Sequence, residues 1–175
     1  MSLNRVVVLG LGKVGSLVGT LLGESGFKVT GLDAAGRSGL PFDTQVVNLA
    51  DAASLRPFLQ AADAVVSCLP FHLNIALAKE AHAAGIHYFD LTEDVATTDE
   101  IREMAKTSRG LMAPQCGLAP GFIGIVGADL ARKFDRLRSI ELKVGALPKH
   151  PRGKLGYAFN WSPEGVINEY INDCE

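Results

Sequence analysis

The chain alternates between unbroken apolar runs and segments whose apolar residues recur every three or four positions. Val6-Val7-Val8-Leu9 is continuous, as in a strand covered by helices on both faces. Leu17, Leu21 and Leu22 follow at helical spacing, and Gly26 supplies the stop. Residues 27–32 predict a second strand, 45–49 a third, 63–69 a fourth stopped by Pro70, 86–91 a fifth and 111–114 a sixth. Helices are predicted over 52–62, with Leu55, Phe58 and Leu59 on one face, and from about residue 72 to 84, ended by Gly85. Thr97-Thr98-Asp99-Glu100 read as capping residues ahead of a helix through Ala105. Strands alternating with short helices imply an α/β fold. The arrangement expected is a Rossmann doubly wound parallel sheet of strand order 3-2-1-4-5-6.

The pattern changes near Arg136. Ile140, Leu142 and Val144 alternate with Glu141 and Lys143, and Tyr157, Phe159 and Trp161 with Ala158, Asn160 and Ser162. Both predict half-solvated antiparallel strands. Residues 1–134 are therefore expected to form the Rossmann domain, and 135–175 the start of an incomplete second domain with an antiparallel or mixed sheet. A length of 175 residues suits one domain plus a piece of another. A formal net charge of −2 argues against nucleic acid or an anionic membrane as partner. The 3 cysteines are scattered, odd in number and free of C-x-x-C spacing, which suits the reducing cytoplasm and predicts no zinc site. Residues 110–128 carry no charge, but Pro114, Pro120 and five glycines there speak against a spanning helix. No secretory signal is expected.

The first strand, helix and second strand enclose a candidate site. Gly10-Leu11-Gly12-Lys13-Val14-Gly15 fits G-x-G-x-x-G and stands between strand and helix, about twenty residues ahead of Asp33. Gly10 suits the tight bend, Gly12 the backbone approach to a pyrophosphate, and Gly15 close helix–strand packing. Lys13 and Val14 open the helix at that point. Asp33 is placed for the ribose hydroxyls, and its charge would repel a 2′-phosphate. NAD is thus expected over NADP, with Arg37 weakening the preference. Pro70 ends the fourth strand, so the backbone of Cys68, Leu69 and Pro70 either lines the cofactor or simply stops the strand.

Proton-transfer candidates at this end are His72 and Asp90. Asp90, Glu93 and Asp94 also form a carboxylate cluster suited to a substrate ammonium, or else a polar loop with a helix cap. Gly117-Leu118-Ala119-Pro120-Gly121 permits close backbone approach ahead of another helix. The basic run Lys149-His150-Pro151-Arg152-Gly153-Lys154 suits a substrate carboxylate or a solvated hairpin. His82, His87 and His150 are read as structural, and Cys68 and Cys116 as small hydrophobes.

Together these motifs resemble the saccharopine dehydrogenase family, which includes saccharopine reductases and lysine 6-dehydrogenases. The resemblance rests on the glycine turn, Ser67-Cys68-Leu69-Pro70-Phe71, Asp90-Leu91-Thr92, Gly117 to Gly121, Val144-Gly145-Ala146-Leu147-Pro148, and the run from Leu155 to Val166. It implies hydride transfer between a nicotinamide cofactor and an amine-bearing carbon of a lysine- or saccharopine-like amino acid. It also implies a homodimer whose second domain closes over the cofactor. It supplies no catalytic residue. The alternative is a nucleotide-sensing regulatory Rossmann domain of the kind attached to potassium channels, which does not account for residues 157–165.

Overall fold

The computed structural model describes residues 3–145, 147–154, 156–158 and 163–171. Strands β1 (Arg5–Leu9), β2 (Lys28–Asp33), β3 (Asp43–Val46), β4 (Ala64–Ser67), β5 (His87–Asp90) and β6 (Met112–Ala113) form one sheet. Every pairing is parallel, and the order is β3-β2-β1-β4-β5-β6, as the sequence predicts. The crossovers carry α1 (Lys13–Glu24), α2 (Ala52–Gln60), α3 (Asn74–Ala84) and α4 (Val95–Ala105). Strand order reverses between β1 and β4, so the chain leaves their carboxyl ends in opposite directions and opens a crevice there.

The apolar run of β1 is continuous because both faces of the sheet are covered. Val7 and Leu9 join Leu32, Val65 and Tyr88 in a core closed by Leu55 and Leu59 of α2, Leu77 and Ala81 of α3, and Ile101 of α4. Val6 and Val8 point the other way, with Val29, Ala64 and Leu11, against the half-buried Val18, Leu22 and Phe42. Helix α1 packs on this face through small residues: Gly15 and Gly19 are its buried positions. A methyl group on Gly19 would meet the Phe42 ring at 2.5 Å. So close a seat turns Leu17 and Leu21 outward, and only Leu22 of the three leucines faces the core.

Several boundaries differ from the prediction. β3 pairs from Asp43 to Val46, earlier than 45–49, because Asn48 and Asp51 turn the chain. α2 ends at Gln60, and the helix expected from residue 72 opens with a 3-10 turn, Phe71–Leu73, before α3. Gly85, at φ +71°, stops α3 as expected. The cap of α4 is Asp94, whose carboxylate accepts the Thr97 N–H at 2.8 Å; Thr97 and Thr98 lie inside the helix.

Beyond β6 the chain forms α5 (Phe122–Ala131), which buries none of its residues, and then runs irregularly. The strand expected at 140–144 is not formed. Ile140, Leu142 and Val144 are exposed, and no described segment offers their backbone a ladder. Tyr157 and Ala158 are irregular too, while Phe159 and Trp161 lie outside the described residues. A helix the sequence reading did not foresee, α6 (Pro163–Ile171), follows. Pro163 occupies its first position, where a fixed φ and a missing N–H cost nothing.

Candidate cofactor site

The three glycines of the first turn do three different things. Gly10 has φ +82°, and a Cβ there would lie 2.8 Å from the Cys68 carbonyl oxygen, so the turn after β1 presses on the segment after β4. A Cβ on Gly15 would overlap the Gly10 carbonyl oxygen, which seats the first turn of α1 against the strand end. A Cβ on Gly12 would meet nothing within 4 Å. Its open side leaves the backbone accessible, and a side chain added there would enter open space without displacing protein. Gly12 is also the N-cap of α1 and brings no side-chain cap, so the exposed helix start at Lys13 and Val14 offers uncapped N–H groups and the positive end of the helix dipole.

Asp33 ends β2 beside this turn and is 8% exposed. Its Oδ2 accepts the Leu11 N–H at 2.7 Å and its Oδ1 the Ala35 N–H at 2.8 Å. The Arg37 Nε is 3.6 Å from Oδ2. Burial pushes the carboxyl pKa up, but the N–H groups of Ala35 and Leu11, with Arg37, outweigh it and hold it below the ordinary value. Asp33 is ionised at neutral pH and at the edge of the crevice.

On the β4 side, the Cys68 N–H donates to the Leu9 carbonyl at 2.8 Å, which carries the sheet one residue past Ser67. Cys68 and Leu69 are half-buried and Pro70 exposed, so their backbone borders the crevice at the glycine turn. Burial pushes the Cys68 thiol up to about 11, which leaves it inert. Beneath lies a pair the sequence reading missed. The Ser67 hydroxyl donates to Asn74 Oδ1 at 2.6 Å, and both residues are buried. A serine directly after the apolar run Ala64-Val65-Val66, and an asparagine three residues ahead of Leu77, were the available signal. His72 is exposed, with its ring edge-on to Phe71 at 5.9 Å between centroids.

The carboxylates after β5 are brought to one end of the sheet but not to one task. Asp90 is fully buried; Oδ1 accepts the N–H groups of Thr92 and Gln115, and Oδ2 the Tyr88 hydroxyl at 2.8 Å. Burial raises its pKa, and those three donors offset the rise only in part. With Cys116 N–H on its carbonyl at 2.7 Å, Asp90 tethers the loop after β6 to β5. Asp94 is spent on capping α4. Among the described residues no hydrogen bond joins His72 to Asp90. His82 pairs with Thr107 and His87 accepts the Leu111 N–H, as expected of structural histidines. Cys116 is exposed, unlike the buried hydrophobe expected. Among the described residues no His, Cys, Asp and Glu cluster suits a metal, and no helix is long and apolar enough to cross a membrane. A cavity of about 750 Å³ opens among Phe27, Phe42 and Phe58, at the amino ends of the strands. It lies away from the end at which this fold takes its ligands.

Residues 6–113 match the family model described as the saccharopine dehydrogenase NADP binding domain. The chain belongs to the saccharopine dehydrogenase family. The match runs from the second residue of β1 to the end of β6 and makes this part of the family member its NAD(P)-binding Rossmann domain. Among solved structures, the apo saccharopine dehydrogenase (L-Glu forming) of Saccharomyces cerevisiae is similar over 94% of this chain and 40% of its own, at 20% identity and a TM-score of 0.69. This chain thus spans about 40% of that enzyme's length. A short-chain dehydrogenase/reductase superfamily protein from Agrobacterium tumefaciens with bound NAD is similar over 61% of this chain and 47% of its own (19% identity, TM-score 0.51). The TrkA-N domain of the Escherichia coli inner membrane protein ybaL is similar over 75% of this chain and 94% of its own (18% identity, TM-score 0.51). These likenesses show the fold.

Proposed function

We propose that this chain is the dinucleotide-binding part of an oxidoreductase acting on the CH–NH or CH–NH2 group of a lysine- or saccharopine-like amino acid. The observation that carries the reading is the open side of Gly12 at the uncapped start of α1, within a domain of this family. When bound, a nicotinamide cofactor accepts or delivers the hydride. The chain's own residues seat it. Gly12, Lys13 and Val14 present backbone to the pyrophosphate, Gly10 and Gly15 shape the turn, and Asp33 meets the ribose and favours NAD over NADP. The backbone of Cys68, Leu69 and Pro70 borders the opposite wall. In this reading His72 is the side chain available for proton transfer, and Asp90 fixes the loop that closes the end of the sheet. Residues 135–175 begin a substrate and dimerisation domain, and the protein acts as a cytoplasmic homodimer.

A second reading, a nucleotide sensor without catalysis, draws on the likeness to the TrkA-N domain, nearly all of which is matched. Competition separates the two. A dehydrogenase domain grips both halves of the dinucleotide, so NADH bound to the chain should resist displacement by ADP or ATP until these are in at least tenfold excess. Displacement by equimolar ADP or ATP would favour the sensor.

A further inference from the structure

Asp33 has a task besides the ribose. Leu11, between Gly10 and Gly12, has its side chain 2% exposed in the core, and its N–H points to Asp33 Oδ2 at 2.7 Å. The neighbouring Gly10 N–H donates to the Leu32 carbonyl at 2.9 Å. The glycine turn is therefore pinned to β2 at two successive peptides, once by backbone and once by the Asp33 carboxylate. Glycine on either side restrains the Leu11 peptide little by itself. Removing the carboxylate leaves the Leu11 N–H without its partner and frees the peptide that leads into Gly12. The Ala35 N–H, on the other oxygen at 2.8 Å, fixes the carboxylate plane in turn. A carboxylate has about four lone-pair sites, so positions remain for ribose hydroxyls.

We infer that Asp33 is a positioning residue for the whole phosphate cradle: by holding the Leu11 peptide it places Gly12, and so sets affinity for the pyrophosphate of either dinucleotide. The inference rests on the dinucleotide reading above. It differs sharply from a ribose-only role, in which loss of Asp33 weakens NAD but spares or improves NADP by removing a repelling charge.

The test is calorimetric titration of NAD and NADP into the parent chain, Asp33→Asn and Asp33→Ala, with Leu11 amide exchange followed by NMR in the ligand-free proteins. Asp33→Ala should weaken NAD by about tenfold or more, the effect of losing a hydrogen bond to a charged group, and NADP by less, because repulsion of the 2′-phosphate is relieved at the same time. Asp33→Asn keeps one acceptor oxygen and should fall between, and it carries the comparison if the alanine variant does not fold. Leu11 amide exchange should quicken from parent to Asn to Ala before any ligand is added. NADP affinity that is unchanged or improved, or a Leu11 amide indifferent to both substitutions, overturns the inference while NAD binding by the parent stands. A parent that binds neither cofactor overturns the dinucleotide reading and this inference together.

Discussion

Three glycines that a motif writes alike have three separate fates, and each can be read out alone. Gly15→Ala places a methyl group on the Gly10 carbonyl and should destabilise the chain by about 1–3 kcal/mol in urea unfolding, as overpacking does. Loss of less than that would mean α1 is free to move off the strand end. Asp90 offers a pH signature. Its folded pKa is raised, so the folded state holds the proton more tightly than the unfolded chain, whose carboxyl titrates near about 3.9. Its contribution is fully present below that value and declines as pH rises toward the folded pKa. Unfolding compared across this window should show the stability difference between Asp90→Asn and the parent growing in the variant's favour as pH rises. A difference moving the other way would show that the three donors, not burial, govern the site. At this scale the sequence made the placement of Gly10, Gly12, Gly15 and Asp33 legible, because their spacing puts a tight turn between β1 and α1 and an acid at the end of β2. The Leu11–Asp33 bond was not legible, since nothing in the residue type of Leu11 records where its N–H points.

Among the elements, strands read well where their residues face a core on both sides, and poorly at the sheet's edge. β1 and β4 are flanked by neighbours and fall where the apolar runs predict. β3, at the edge, slides toward Asp43 because its pairing with β2, not its own hydrophobicity, sets its limits. Residues 140–144 alternate as a strand should and yet form none, because period-two patterning needs a partner backbone to become a strand. Helix α4 shows the converse error: Thr97 and Thr98 have cap chemistry, but Asp94 stands earlier in the chain and accepts the Thr97 N–H. Asp94→Ala should therefore cost about 1 kcal/mol in urea unfolding. A larger loss from an alanine at Asp99, in place of Asp94, would restore the cap to the sequence's choice.

The whole molecule inherits its order from the crossovers, and the parallel sheet with its switch point between β1 and β4 was legible throughout. Beyond β6 the apolar residues Ile140, Leu142 and Val144 are exposed, and there the sequence misled because it reports hydrophobicity without saying what covers it. If residues 135–175 only begin a substrate domain, substrate positioning and water exclusion are incomplete. The chain should then form no NADH from NAD and lysine-related amino acids. Robust turnover with any of them would show that these residues suffice.

All of this rests on one claim, that the Gly10–Gly15 turn holds a nicotinamide dinucleotide against its backbone. Calorimetric titration of NAD and NADP into the parent chain and Gly12→Val tests it most directly, with far-UV circular dichroism confirming that the variant folds. Because a Cβ on Gly12 meets no protein atom within 4 Å, the variant should keep the parent's spectrum. The parent should bind at least one of the two cofactors saturably, and the variant neither. Equal binding by parent and Gly12→Val, or none by the parent, would contradict the account.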